Sequence, residues 1–214
     1  MYVKDIMNQH PVCISPETSI SEAIDIMHEN GFHRLPVVNT RSQLVGLLTE
    51  GTIAASTSSN TSSLSTYELN YLLNKTKVDS IMVKNVRTIH EDALLEEAAS
   101  LMLQDNIGCL PVVKENVVIG IITQNDIFAA FIDILGYYQK GMRIVINVPA
   151  DKAGTVEAIS HVLASNGVNI SNVVVFRTIR GIEVVFITFN SSENIKDELT
   201  KAGFNVTSVT YLDK

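Results

Sequence analysis

Gly120-Ile121-Ile122-Thr123-Gln124-Asn125-Asp126 is the stretch on which the fold turns. Two aliphatics that favour a strand end in a Thr, and an Asp heads the apolar helical segment Ile127 to Gly136. Where a strand hands over to a helix, backbone N–H groups are left unpaired. A hydroxyl and a carboxylate then face the same opening. Two readings fit these residues. Asp126 is the N-cap of an ordinary strand-to-helix turn, or its carboxylate accepts from both hydroxyls of a ribose, as an acidic residue does in dinucleotide folds.

The chain makes this stretch twice. Val3-Lys4-Asp5-Ile6-Met7 returns 75 residues on as Val78-Asp79-Ser80-Ile81-Met82. At that spacing Glu22-Ala23 meets Glu97-Ala98, Met27 meets Met102, and Leu35-Pro36-Val37-Val38 meets Leu110-Pro111-Val112-Val113. One residue is then lost, and Gly46-Leu47-Leu48-Thr49 meets Gly120-Ile121-Ile122-Thr123 at a spacing of 74. Chance would scatter such matches, so a fixed spacing marks an internal repeat. Two copies make a pseudo-symmetric pair and not a solenoid.

Composition bounds the rest. A chain of 214 residues holds one or two domains. Hydrophobic content of 46% with 18% charged residues fits a folded globular chain. A net charge of −7 argues against a nucleic-acid partner, whose phosphates require a basic face. No apolar run approaches the roughly 20 residues of a membrane span, and Met1-Tyr2-Val3-Lys4-Asp5 opens no signal peptide. A cytoplasmic protein without a membrane partner is expected. Cys13 and Cys109 have no metal spacing and lie in apolar strand contexts, so reduced, packed thiols and no metal are expected.

Local signals place the elements. Ser19-Ile20-Ser21-Glu22 reads as a capping box, with Ile20, Ala23, Ile24 and Met27 on one helical face. Gly31 closes that helix in the left-handed region, and Asn106 stands at the same place in the second copy. Residues 54–66, rich in Ser, Thr and Asn, read as a weakly ordered connection. Ser65-Thr66-Tyr67-Glu68 is a second capping box, opening a short helix with Leu69, Leu72 and Leu73 on one face. His33 and Arg34 form a basic pair before Pro36 that reads either as an anion contact or as a solvated pair. His10, His28, His90 and His161 have no acidic or thiol partner at useful spacing. The helix from Ile127 to Tyr138 is apolar on most sides, the mark of burial against a partner.

From Met142 the pattern changes. Strands at Arg143–Val148, Val168–Thr178, Glu183–Phe189 and Phe204–Tyr211 alternate with two helices. The first helix opens at Asp151-Lys152-Ala153-Gly154, turns Val156, Ile159, Val162 and Leu163 inward and closes at Asn166-Gly167; Ser192 caps the second. The order βαββαβ is the ferredoxin-like arrangement.

These motifs carry two resemblances. The order strand, helix, Leu-Pro-Val-Val strand, Gly-Leu-Leu-Thr strand, helix resembles a CBS motif, and residues 1–140 resemble a CBS pair. The copies would be 1–54 and 78–140, joined by residues 55–77. Residues 142–214, with Asp151-x-x-Gly154 and Gly167-Val168-Asn169-Ile170, resemble an ACT domain. The combination is similar to acetoin-utilisation proteins of the AcuB type. The fold class implied is α/β (α+β), a pseudo-twofold βαββα pair followed by a ferredoxin-like domain.

The CBS resemblance implies an adenosine nucleotide (AMP, ADP or ATP) as regulatory ligand, with S-adenosylmethionine as the alternative. One site would combine Thr123, Asn125 and Asp126 with Val12, Phe32, His33, Arg34 and Pro36, while Ile121 and Cys13 line the adenine slot. A second, weaker site would combine Thr49 and Thr52 with Val86, Ile107, Gly108 and Pro111. There Thr52 replaces the acid and no basic pair is present. The ACT resemblance implies dimerisation or an amino-acid ligand held near Asp151, Gly154 and Asn169. Together the two resemblances imply a regulatory, non-catalytic protein, at least a homodimer, acting on an unidentified target and linked by family to acetoin or butanediol catabolism. An adaptor with empty sites is the rival reading. A hydrolase or transferase would need a nucleophile, base or metal cluster that the sequence does not display.

Overall fold

The computed structural model describes residues 1–58, 65–149, 152–179, 181–190 and 192–212. The chain divides into two compact units, Met1–Ile127 and Phe128–Lys214.

Each copy carries a helix, an antiparallel strand pair and a second helix, the last of them, in copy two, running past Ile127 into the second unit. Copy one has α1 (Val3–Ile6), α2 (Ile20–Asn30), β1 (Arg34–Val38), β2 (Leu44–Thr49) and α3 (Glu50–Ser58). Then come α4 (Thr66–Lys75) and a 3-10 turn at Val78–Ser80. Copy two continues with α5 (Leu95–Gln104), β3 (Cys109–Lys114), β4 (Val117–Thr123) and α6 (Gln124–Ile134). The expected leading strand of each copy shrinks to one parallel bridge, Ile14 to Val37 and Ile89 to Val112. Pro11 and Pro16 flank the first of these, and Pro has no N–H for a longer ladder. The residue lost between the copies is absorbed in a turn. Copy two closes its strand pair on Glu115 and Asn116, both at positive φ, with Lys114 opposite Val117. Such a two-residue turn matches the twist of the strands it joins.

The two copies are interlocked. Val3 N–H donates to Ala93 C=O, and its counterpart Val78 N–H donates to Thr18 C=O. Asn8 exchanges backbone hydrogen bonds with Ile121 on β4, and Val83 exchanges them with Leu47 on β2. Each copy therefore starts on the sheet of the other. Gly120 and Gly46 permit this approach: a Cβ on either would strike the sulfur of Met7 or Met82 from the opposite copy. The core of copy one accordingly contains Val78 and Met82 beside Ile20, Ala23, Met27, Leu35, Val37 and Leu48.

Several local expectations change. Ser19 caps α2 by accepting from the Glu22 N–H, a one-way cap in place of the reciprocal box. Ser65 and Glu68 form the complete reciprocal box. Gly31 (φ 66°) and Asn106 (φ 51°) both take the left-handed region. Helix α3 runs through Ser58, so residues 54–58 are helical; Ser56 and Thr57 satisfy their hydroxyls within it by donating to the Ile53 carbonyl. Residues 59–64 of the expected connection lie outside the described residues. On α4, Leu73 packs on the core but Leu72 is exposed. His90 Nδ1 lies 3.7 Å from Asp92, a partner that the spacing rule overlooked.

The second unit holds β5 (Gly141–Val148), α7 (Thr155–Ser165), β6 (Ile170–Thr178), β7 (Gly181–Thr188), α8 (Ile195–Lys201) and β8 (Asn205–Leu212). The sheet order is β6-β7-β5-β8, antiparallel throughout. Ile159 and Leu163 of α7 and Ile195 and Leu199 of α8 bury against Met142, Ile144, Ile146 and Phe186. The one buried polar side chain among the described residues, Thr188, accepts from the Met142 N–H at 3.0 Å and donates to the Asn190 carbonyl at 2.7 Å. Two details differ from the sequence expectation. Val156 is exposed, since it falls on the outer side of the first turn of α7. Helix α8 begins after Asn194 and not at Ser192, whose carbonyl accepts the Ile195 N–H instead.

Candidate functional site

The interlocking brings the β4–α6 junction of copy two against the β1 entrance of copy one. The cleft between them holds about 420 Å³. Val12, Phe32, His33, Arg34, Pro36, Ile121, Thr123, Asn125 and Asp126 line it, nine of the residues named for the first site. Cys13 does not. Its thiol is turned back to donate to the Pro11 carbonyl at 3.5 Å, and partial burial raises its pKa. Asn8, Pro11, Gly31, Gly108 and Gln124 complete the wall. Asn8 was not foreseeable from the repeat alone, because it enters through the exchanged start of copy one.

Asp126 is not the N-cap. Helix α6 starts at Gln124, and Asp126 sits in its first turn. Its Oδ2 accepts from the Thr123 N–H at 2.7 Å and from the Thr123 hydroxyl at 2.6 Å. The Asp126 N–H donates back to Thr123 Oγ1 at 3.3 Å. This reciprocal clamp uses one carboxylate oxygen. A carboxylate has two, with about four acceptor positions. Asp126 is half-buried and lines the cleft, and its Oδ1 takes no part in the clamp.

A larger cleft of about 900 Å³ opens at the pseudo-symmetric place. Of the residues named for the second site, Thr49, Val86, Ile107 and Gly108 line it, and Thr52 and Pro111 do not. Thr52 closes on Thr49: its hydroxyl donates to the Thr49 carbonyl at 2.8 Å and accepts the Thr49 N–H at 3.1 Å. Pro111 is buried opposite Ile121 in the strand pair. The expectation that this cleft lacks basic groups is also corrected. His33, Arg34 and Arg87 all line it. His33 Nδ1 lies 3.1 Å from Glu50, and Arg87 Nε lies 2.8 Å from Asp105. Arg34 has no acidic partner among the described residues. Its neighbour is Cys109, whose burial pushes the thiol up to about 11 while the guanidinium pulls the other way.

In the second unit Gly154 precedes α7 at φ 85° and lines a cleft of about 490 Å³ with Lys152, Thr155, Glu157 and Arg177. Asn169 is absent from that lining; its N–H donates to Asn190 Oδ1 at 2.8 Å. Asp151 lies outside the described residues. The one grouping of potential metal ligands among the described residues is His90, Glu91 and Asp92 at the surface, where Lys114 and Lys4 already pair with the two acids at 2.8 Å. No helix among the described residues is long and apolar enough to cross a membrane.

Two interlocked copies with a cleft at each strand-to-helix junction define a tandem ligand-binding module. The family profile of the CBS domain matches residues 3–57 and 78–133. The chain belongs to the CBS-domain family. It is 33% identical over 130 residues to L-aspartate semialdehyde sulfurtransferase of Methanocaldococcus jannaschii, spanning 60% of this chain but only 23% of that protein. A CBS domain-containing protein of Dictyostelium discoideum is 33% identical over 134 residues, spanning 62% of this chain and 92% of its relative. Among solved structures, the CBS domain pair of protein MJ0100 in complex with 5-methylthioadenosine and S-adenosyl-L-methionine aligns at TM-score 0.53 and 32% identity, covering 61% of this chain and 95% of that one. CBSX2 in complex with AMP aligns at 0.53 and 27%, covering 63% and 98%. A protein assigned to acetoin utilization (AcuB) from Vibrio cholerae aligns at 0.55 and 27%, covering 64% and 95%.

Proposed function

We propose that this chain is a regulatory sensor whose first cleft takes an adenosine ligand. The observation that carries the reading is the convergence of Asp126, Thr123, Arg34 and an apolar wall of Val12, Phe32, Pro36 and Ile121 on one cleft. The carboxylate oxygen outside the Thr123 clamp accepts from the ribose diol. The apolar wall takes the adenine, and Arg34 takes phosphate, whose oxygens match the guanidinium fork. The adenosine class is supported by the two related structures that hold AMP and S-adenosyl-L-methionine. Within that class AMP, ADP and ATP are favoured, because Arg34 carries no acidic partner among the described residues and a phosphate satisfies it. The sulfonium ligand is the second reading, supported by the higher identity of the MJ0100 pair.

The second unit is read as an ACT domain on its βαββαβ order and sheet order. Its role would be dimerisation or recognition of an amino acid near Gly154. A link to acetoin or butanediol catabolism rests on the likeness to the Vibrio cholerae protein alone. We infer no catalytic role.

The test is a thermal-shift panel of AMP, ADP, ATP, S-adenosylmethionine and the common amino acids. A ligand that binds the folded chain raises its melting temperature by mass action. An adenine nucleotide should give the largest shift. If S-adenosylmethionine alone acts, the sulfonium reading replaces ours; if nothing acts, the adaptor reading does. Nucleotide consumed during incubation would overturn the non-catalytic reading.

A further inference from the structure

The two clefts share a wall made of His33, Arg34 and Gly108. Arg34 opens β1 directly opposite Thr49, the threonine of the second cleft. Its side chain crosses to copy two, where Gly108 leaves space: a Cβ there would collide with the guanidinium. The sequence explains the asymmetry. At the spacing of 75 residues, His33-Arg34 corresponds to Gly108-Cys109, so copy two supplies no cation at the equivalent position. The other basic side chains of the two clefts, His33 and Arg87, lie against Glu50 and Asp105. Arg34 is thus the cation left without an acidic partner among the described residues, and it faces both clefts.

We propose that Arg34 is shared between the two clefts, so that an anionic ligand in one weakens the binding of an anionic ligand in the other. This rests on the reading that the first cleft takes an adenine nucleotide. A guanidinium forked onto one phosphate group commits two of its five N–H donors, and its single positive charge, to that group. Once it is engaged, a second polyphosphate meets a used donor and an unneutralised neighbouring charge. The coupling is reciprocal by linkage. A neutral adenosine leaves Arg34 free and imposes no such penalty.

Titration calorimetry of the full chain with ATP tests this in a cycle of variants. Wild type should bind one ATP and then a second roughly tenfold more weakly, within the usual range of coupling between sites. Asp126→Ala, which disables the first cleft, should strengthen binding to the second cleft by about the same factor. Combined with Arg34→Ala, Asp126→Ala should no longer alter the second cleft. Arg34→Gln keeps the side-chain stem and should match Arg34→Ala, which separates loss of charge from loss of folding. Presaturation with adenosine should not weaken the ATP step at the other cleft. The proposal fails if Asp126→Ala leaves the second cleft unchanged while Arg34 is intact, or if the coupling survives removal of Arg34. An absence of ATP binding to wild type at either cleft removes the nucleotide reading itself, and this inference with it.

Discussion

Thr123 and Asp126 hold each other across the first turn of α6 by three hydrogen bonds, all involving Asp126 Oδ2 or Thr123 Oγ1. Thr49 and Thr52 perform the same closure at the start of α3 with hydroxyls alone. The two turns are equivalent as caps and unequal as binding groups. The Thr52 hydroxyl is consumed by its own turn, whereas the Asp126 carboxylate keeps one oxygen outside its clamp.

Asp126→Ala should therefore weaken AMP and ATP binding by about 1.5–3 kcal/mol, roughly ten- to a hundredfold, because two ribose hydroxyls lose a shared acceptor. Thr52→Ala should change nucleotide affinity little. Arg34→Ala should weaken ATP more than AMP. The Asp126→Ala protein should stay folded and lose only about 1 kcal/mol with its bonds back to Thr123. Calorimetry on the three variants decides the assignment. Normal binding by Asp126→Ala together with loss in Thr52→Ala would reverse it.

The exchanged starts of the copies make a second prediction. Gly120 lies under the Met7 sulfur and 3.0 Å, measured from the position of an added Cβ, from the Asn8 carbonyl. Gly120→Val must displace that backbone and should cost about 1–3 kcal/mol, the usual range for overpacking. The exposed Gly31 position has open space around it, though at positive φ, and Gly31→Asn should be milder since Asn tolerates that region. Urea denaturation compares them. Equal midpoints for wild type and Gly120→Val would contradict the packing of Met7 over β4.

Most of the first cleft was legible because its residues come from motifs that the repeat displays twice. The errors have one source. The repeat shows which positions correspond but not where a side chain ends. Cys13 and Val12 are neighbours on an extended segment, and alternation sends one to the cleft and the other back toward Pro11. Thr52 was placed by correspondence with Asp126, yet a hydroxyl is too short to cap its turn and also reach the cleft. Sequence spacing gives Arg34 to a single site, with no hint that Gly108 opens room for it across the pseudo-twofold. In the second unit the strand order followed from alternation, while Asn169 is drawn into a clamp with Asn190 that no spacing announces.

Helix α6 predicts assembly. Phe128 is 62% exposed and Phe131 42%, and Ile132 and Ile134 are exposed with them. A contiguous apolar surface of this kind on a folded chain marks an interaction site. Light scattering at micromolar concentration should give at least a homodimer, and Phe131→Glu should shift it toward monomer. A wild-type monomer would show that α6 is not the contact.

The last prediction concerns alkaline stability. Burial raises the Cys109 thiol from its ordinary 9.0 to about 11, against a smaller opposing pull from Arg34. A thiol is neutral when protonated, so the folded chain holds this proton more tightly than the unfolded chain does. The resulting stability is complete below pH 9.0, where neither state ionises, and is lost as pH rises from there toward about 11. Above that range both states are thiolate. By linkage the loss attributable to Cys109 is roughly 2 kcal/mol at the upper end, each unit of pKa difference being worth about 1.4 kcal/mol. Lysines and tyrosines titrate in the same range, so the informative quantity is the difference between wild type and Cys109→Ala. At pH 7.5 Cys109→Ala should be the less stable, through lost packing. By pH 10.5 that gap should narrow or reverse, because only the wild type must keep a thiol protonated. Urea midpoints at the two pH values measure it. A gap that stays constant would mean that the Cys109 thiol is in contact with water.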